Sequence, residues 1–503
     1  MKNYCDKTGR TLQTEGLETR LMPAVGVTVI THGFQLDGAF PDWVVSMGQA
    51  ILDRADGAAE DRSTGSLYKH DPTTGLWDAP PSGVWNNSNA ADDHVVLLYD
   101  WADESNELED GWLEAAADAL FAGLLAANDN LGGELAGKSF LEVGQRPGER
   151  LIDFHFIGHS RGAVLNSLVV ERLNAHVDAM IQQVTSLDPH PTGFANDRGY
   201  VADQPDLNSR LFTYDNVVFA DNYYRKDGVY ELDGDFNGVV AEGAFNLQIP
   251  ETVLENGGAG TEHSDVHSWY YGTVSEPFDD AYAGFSGAGR NHDGDVNFPA
   301  SWYGESGVPD RGAIGYALSI VGGGNRDGLS IDGVAISAGP VASVFNGEFS
   351  LGNSFADDEI PGWERHGGGG SAGFGGFGGT ASYIELNAGG EDFFLRHNPL
   401  YFERFVTGVE YEYWINNNDE LFPNDQFQLL VGERVIDTFS LADETDGFVR
   451  RTAPIGVPHD GFVDTLEVRI HDDGGDGIDA AVRIDNVNLI VEIPPTTADF
   501  DAD

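Results

Sequence analysis

Five short runs of almost continuously apolar residues alternate with helical patterns across the first 225 positions, and this alternation leaves few architectures open. The runs are Val25–Ile30, Val95–Tyr99, Leu151–Ile157, Gln183–Leu187 and Val217–Ala220, rich in Val and Ile. Strands that lack an apolar–polar alternation are buried on both faces, which is the situation of parallel strands covered by helices. Between them, Glu107–Asn128 repeats Trp112, Leu113, Ala116, Leu120 and Leu124 at three- and four-residue spacing, and Val164, Leu165, Leu168, Val169 and Leu173 do the same after residue 161. The expectation is a three-layer α/β domain with a mostly parallel central sheet.

One segment breaks the rhythm. Ser66–Trp77 reads as a hairpin around Asp71-Pro72-Thr73-Thr74-Gly75, followed by a Pro-, Asn- and Ser-rich loop to Asp92. With Trp77 and Trp85 it is a candidate lid, the alternative being a surface excursion. After about residue 335 helical periodicity disappears. His366–Thr380 is mostly Gly, and short aromatic-rich strands follow: Phe393–Leu395, Glu410–Ile415, Gln426–Val431, Thr465–Ile470 and Val482–Val491. That pattern points to an all-β sandwich. The expected division is an N-terminal extension over 1–23, the α/β domain over 24–340, the sandwich over 341–493 and an acidic tail over 494–503. A chain of 503 residues exceeds what one core of about 250–300 residues sustains, so at least two domains are required.

The chemistry concentrates at Gly158-His159-Ser160-Arg161-Gly162. An apolar strand feeds this G-x-S-x-G and a helical pattern leaves it, the context of a strained elbow that exposes a serine hydroxyl at the carboxyl edge of a sheet. A hydroxyl is a weak nucleophile until an imidazole takes its proton and a carboxylate orients that imidazole. Two carboxylates follow in the expected order: Asp188 in Ser186-Leu187-Asp188-Pro189, at the end of the next apolar run, and Asp221, after Val217–Ala220. Two imidazoles follow, His263 and His267, expected on a loop beyond the last strand. Oxyanion donors should be the backbone N–H of Arg161, after the nucleophile, and that of Phe34, after the first strand in Thr31-His32-Gly33-Phe34.

Taken together, His32-Gly33-Phe34, Gly158–Gly162, Leu187-Asp188-Pro189 and His263 ahead of Trp269-Tyr270-Tyr271 resemble the pancreatic-lipase-like branch of the α/β-hydrolases and its bacterial relatives, over residues 24–275. The resemblance implies an α/β-hydrolase fold and a serine carboxylic-ester hydrolase that works through an acyl-enzyme without a cofactor. It also implies Ser160 as nucleophile, Asp188 rather than Asp221 as the acid, and His263 rather than His267 as the base. The second half has its own resemblance. Phe345-Asn346-Gly347-Glu348-Phe349-Ser350, Pro361-Gly362-Trp363 and Arg483-Ile484-Asp485-Asn486-Val487 are similar to the opening and closing strands of galactose-binding-like jelly rolls, which implies carbohydrate as a partner and a structural Ca²⁺ near Asp485. Two other functions fit the same residues. One is an esterase of decorated polysaccharides or polyesters anchored by the sandwich. The other is a carbohydrate-binding or adhesive protein with a vestigial hydrolase domain.

Charge narrows the partners. There are 27 Lys and Arg, only five of them Lys, against 83 Asp and Glu, a net charge of −56. Such a field repels phosphate backbones and anionic lipid surfaces, which excludes nucleic acid as the expected partner. No apolar run reaches the roughly 18 residues of a membrane-spanning helix. Cys5 is the single cysteine, so no intrachain disulfide forms. Met1–Gln13 lacks the apolar stretch of a secretory signal, yet Leu17-Glu18-Thr19-Arg20-Leu21-Met22 is similar to a short motif of surface or exported planctomycete-type proteins, so a secreted or cell-surface location is expected. The acids are scattered, as in salt-adapted proteins. The melting temperature is therefore expected to rise substantially between 0.1 M and 1 M NaCl, as the Debye length falls from about 10 Å to about 3 Å and self-repulsion is screened. Melting curves that stay flat or fall across that range would contradict this origin of the acidity.

Overall fold

Seven parallel strands and one antiparallel edge strand form the sheet that carries the first half of the chain. The computed structural model describes residues 26–55, 65–78, 94–130, 151–191, 211–225, 238–250, 254, 262–275, 303–349, 360–417, 425–456, 462–471 and 481–491, apart from short gaps inside several of these spans. The N-terminal extension, the Leu17–Met22 motif, the loop with Trp85 and the acidic tail lie outside the described residues.

In chain order the elements are β1 (Val27–Thr31), α1 (Asp42–Ala55), β2 (Gly65–Asp71), β3 (Leu76–Asp78), β4 (His94–Tyr99), α2 (Ala102–Ser105), α3 (Trp112–Asn130), β5 (Leu151–His159), α4 (Arg161–Val177), β6 (Met180–Leu187), β7 (Leu211–Phe212), β8 (Ala220–Arg225), β9 (Ala241–Glu242), β10 (Phe245–Ile249) and α5 (Glu262–Val274). The sheet order is β10-β8-β6-β5-β1-β4-β2-β3. Alternate residues of one strand enter different cores. Val95, Leu97 and Tyr99 of β4 pack with α3 and α4, while Val96 and Leu98 pack with α1 and α5. That two-sided burial is why these strands read as unbroken apolar runs. The chain builds outward from β1 to β4 on one side and to β5 on the other, so the carboxyl ends of β1 and β5 flank a point of strand-order reversal, where open α/β sheets leave a crevice.

Several expectations need correction. The strand expected at Val217–Ala220 begins only at Ala220. Val217 donates to the Tyr214 carbonyl in a turn and Val218 is 49% exposed, so this apolar run is not the strand. The strand itself carries the buried polar residues Asp221 and Asn222, held by bonds to Asp221 Oδ1 and from Asn222 Nδ2, which hides it from a hydrophobicity reading. The segment with His263 and His267 is helix α5, not a loop. The hairpin of β2 and β3 forms, but β2 pairs with β4 and Trp77 is buried with its indole N–H on the Gly123 carbonyl of α3, so the hairpin closes the sheet edge rather than overhanging a site.

The second half holds two five-stranded antiparallel sheets around one apolar core. One sheet runs β11 (Trp363–Gly367), β14 (Phe393–His397), β21 (Leu466–His471), β17 (Gln426–Val431), β18 (Arg434–Ser440). The other runs β12 (Ser371–Gly375), β13 (Tyr383–Asn387), β22 (Ala481–Val491), β16 (Val406–Asn417), β19 (Val449–Pro454). Inward positions alternate along each strand, as with Ile384 and Leu386 or Val482 and Ile484. The described residues between Val344 and Phe349 form turns rather than the expected opening strand, with Val487 N–H donating to the Gly347 carbonyl. A small pair, β15 (Leu400–Phe402) and β20 (Phe462–Asp464), leans on α3, where Tyr401 meets Phe121 edge-on at 6.0 Å. Among the described residues no helix is long and apolar enough to cross a membrane.

Candidate functional site

The turn between β5 and α4 places Ser160 at φ 57°, a left-handed conformation that a non-glycine residue holds only when its surroundings impose it. The Ser160 N–H donates to the Leu187 carbonyl at 2.9 Å, tying the elbow to the end of β6. Three glycines make room. A Cβ on Gly162 would lie 2.4 Å from the His32 carbonyl oxygen, one on Gly158 2.6 Å from Ala163 Cα, and one on Gly33 2.5 Å from Ser160 Cβ. Under the expectation that Ser160 is a nucleophile, Gly33→Ala should push the elbow aside and lower kcat by about 10²-fold with a smaller effect on melting. An unchanged kcat would show that the close approach of Gly33 has no catalytic weight.

That approach also sets the backbone following Gly33 beside Ser160. The space a Gly33 Cβ would occupy is 3.0 Å from Ser160 Oγ, and Phe34, the next residue, is 38% exposed. Arg161 opens α4, whose first-turn N–H groups lack an acceptor within the helix and carry the positive end of its dipole. The Arg161 side chain is spent elsewhere. It is buried, donates to the carbonyls of Ser105 and Glu107, and lies 5.6 Å from the Trp101 ring. Trp101 in turn donates to the His32 carbonyl, and the His32 ring, which burial drives down to about 4 and so keeps neutral, bonds the Gly33 carbonyl. Sequence reasoning passed over Trp101 and the His32 ring as supports of this loop.

Asp188 follows β6 directly. It is fully buried at φ 43°, and its Oδ2 accepts from His263 Nδ1 at 2.6 Å. Its Oδ1 accepts the Arg225 backbone N–H at 2.7 Å, and the buried Arg225 guanidinium stands 3.9 Å from Oδ2. Burial pushes the Asp188 carboxyl up to about 7, opposed by the Arg225 amide and guanidinium. Nothing in the sequence marks Arg225, because its partner lies 37 positions away on another strand.

Helix α5 presents His263 at its first turn, and the residue before the elbow serine secures it. His159 Nε2–H donates to the His263 carbonyl at 2.9 Å, with the two rings 4.5 Å apart. Burial, with His263 beside it, holds the His159 ring down at about 3, so it stays neutral. His267, one turn later, stacks on Trp43 of α1 at 4.3 Å and is buried away from Asp188. Ser160, Asp188 and His263 thus meet at one sheet edge. Ser160 Oγ is not hydrogen-bonded to His263 among the described contacts, and such bonds commonly tighten only when substrate fills an unliganded site.

Asp221 lies elsewhere. It pairs with Thr185 inside the sheet, below the edge, where its Oδ1 accepts from Thr185 Oγ1 at 2.6 Å and Gln183 Nε2 at 3.0 Å. Burial raises its carboxyl from 3.8 to about 6. A carboxyl whose folded pKa is raised binds its proton more tightly than the unfolded chain does, so rising pH between those values favours unfolding. Asp221→Asn should therefore raise stability at pH 8 by about 1–3 kcal/mol and lose that advantage near pH 4. Denaturant melts at the two pH values check it, and equal destabilisation at both would refute it. Among the described residues no group of three or more His, Cys, Asp or Glu side chains is placed to hold a metal ion.

No protein-family model matches the chain, and no curated protein matches it. Solved structures are similar to parts of it. A family 29 carbohydrate-binding module is 15% identical, covering 26% of this chain and 82% of its own, at TM-score 0.19. A cyclase from Fischerella sp. TAU in complex with 4-(1H-indol-3-yl)butan-2-one is 18% identical, covering 30% and 96%, at TM-score 0.23. The family 11 carbohydrate-binding module of a Clostridium thermocellum cellulosomal cellulase is 10% identical, covering 28% and 92%, at TM-score 0.19. At these TM-scores the likeness assigns neither a family nor an activity.

Proposed function

We propose that the chain is a serine carboxylic-ester hydrolase whose first half is an α/β-hydrolase domain and whose second half is a galactose-binding-like jelly roll. The observation that carries the reading is the 2.6 Å bond from His263 to buried Asp188 at the same sheet edge as the strained Ser160 turn. In the proposed reaction Ser160 Oγ attacks the ester carbonyl carbon while its proton passes to His263 Nε2. Asp188 keeps the proton on Nδ1 and stabilises the imidazolium. The oxyanion accepts the N–H groups of Phe34 and Arg161, each such donor worth about 10²–10³ in rate. The intermediate collapses, His263 protonates the departing alcohol, and water repeats the sequence on the acyl-enzyme.

The reading is tested by incubating the full chain with a fluorophosphonate and measuring p-nitrophenyl ester hydrolysis over a series of acyl lengths. Mass addition at Ser160 with matching loss of hydrolysis supports it. A chain that neither labels nor hydrolyses any of the series is not this enzyme, and the vestigial reading then takes its place.

A further inference from the structure

A chain with 27 Lys and Arg against 83 Asp and Glu has few cations to place, yet one of them, Arg225, is fully buried. It ends β8, in register with Ile249 of β10, and its carbonyl accepts the Gly238 N–H at 3.1 Å. Taking a guanidinium out of water is costly unless a group of opposite charge offsets it. Here that group is Asp188. The Arg225 guanidinium stands 3.9 Å from Asp188 Oδ2, and the backbone N–H of the same residue donates to Oδ1 at 2.7 Å, so one residue flanks both oxygens. The carboxyl is sealed from solvent: it is fully buried, and a Cβ on Gly238 would lie 2.2 Å from Oδ1. Among the described residues, the titratable groups that face it from the other elements are imidazoles. They are His263 of α5, bonded to Oδ2, His159 of the elbow, which burial holds neutral, and His190, two residues on, whose ring is 6.3 Å from that of His263. Of these groups only Arg225 carries its charge at every working pH.

We infer that Arg225 is a positioning residue for the proposed hydrolysis, its guanidinium keeping the Asp188 carboxyl ionised so that the acid accepts the His263 Nδ1–H before substrate arrives. The inference rests on the ester-hydrolase reading, and its logic is a count of protons. Asp188 and His263 work as a pair holding one proton, on Nδ1, which leaves Nε2 free to take the proton of Ser160. A second proton leaves Nε2 occupied, whether the carboxyl or the ring gains it, and the pair then titrates as a unit. A fixed positive charge beside the pair opposes that second proton. The margin is narrow, because burial pushes the Asp188 carboxyl up to about 7 even with Arg225 in place. Without the guanidinium the doubly protonated, inactive pair persists to higher pH.

The test is the pH profile of kcat/KM on a neutral p-nitrophenyl ester for the full chain, Arg225→Met and Arg326→Met. In Arg225→Met the acid limb is expected to move to higher pH by about 1–3 units, the usual effect of an opposite charge close to a carboxylate. Above the shifted limb, hydrolysis should recover to within about tenfold of wild type. Arg326→Met removes a guanidinium that bonds Leu318 and Gln183, five positions before Asp188, and should leave the limb in place. Hydrolysis lost at every pH with the limb unmoved would make Arg225 purely structural and overturn the inference. An equal shift in Arg326→Met would assign the effect to net charge and overturn it too. Melting at pH 8 covers an Arg225→Met chain that does not fold. Stranding one member of a buried pair costs more than removing both, so Asp188→Asn with Arg225→Met should melt above Arg225→Met alone, and a double variant no more stable than the single overturns the coupling. A wild-type chain that hydrolyses no ester removes the reading on which this rests, whereas an active chain with an unmoved limb overturns this inference alone.

Discussion

Ser160→Ala is expected to lower kcat for a neutral soluble ester by about 10⁶-fold and to abolish fluorophosphonate labelling, with the melting temperature little changed. In the proposed reaction the nucleophile is the one group in the site with no substitute. Arg161 is committed through its side chain to the carbonyls of Ser105 and Glu107. The elbow itself is held by the Ser160 N–H on Leu187 and by the three close glycines, none of which needs the hydroxyl. Residual hydrolysis within tenfold of wild type would place the nucleophile elsewhere in the chain.

Asp188→Asn should cost about 10⁴-fold in kcat. The asparagine can still accept the Arg225 N–H through its oxygen, so the local backbone is kept. Its amide would then face His263 Nδ1, favouring the ring tautomer with the proton on Nε2, where no proton can be taken from Ser160. Asp221→Asn is the counterpart: the other buried carboxylate of the same sheet is expected to change the pH dependence of stability and not the chemistry. If Asp221→Asn is the crippling change and Asp188→Asn is mild, the acid has been misassigned.

How legible the site was depended on the range of each interaction. The elbow could be read because its requirements are local: Gly158, Ser160 and Gly162 fall within five residues, and the strand and helix that frame them have their own periodicities. Asp188 could be read because it ends an apolar run. β8 begins three residues past the start of the apolar run because hydrophobicity stands in for burial only when buried groups are apolar, and Asp221 and Asn222 are buried polar residues. The helix carrying His263 does not show itself in the pattern, because its sequence, Glu-His-Ser-Asp-Val-His, is polar at its first turn and aromatic only later.

Residue pattern alone was enough for the classes of element and their order, for a buried parallel sheet followed by an antiparallel sandwich, and for the short-range geometry that strains Ser160. These follow from steric and solvation preferences that act within one or two turns of chain. Tertiary structure alone decided which carboxylate meets which imidazole, that Arg225 stands beside Asp188, that His159 ties the elbow to α5, and that Trp77 belongs to the core. Each of these joins residues 37 or more positions apart, and such pairings are set by sheet order and helix placement, through backbone hydrogen bonding and apolar packing that no local window contains.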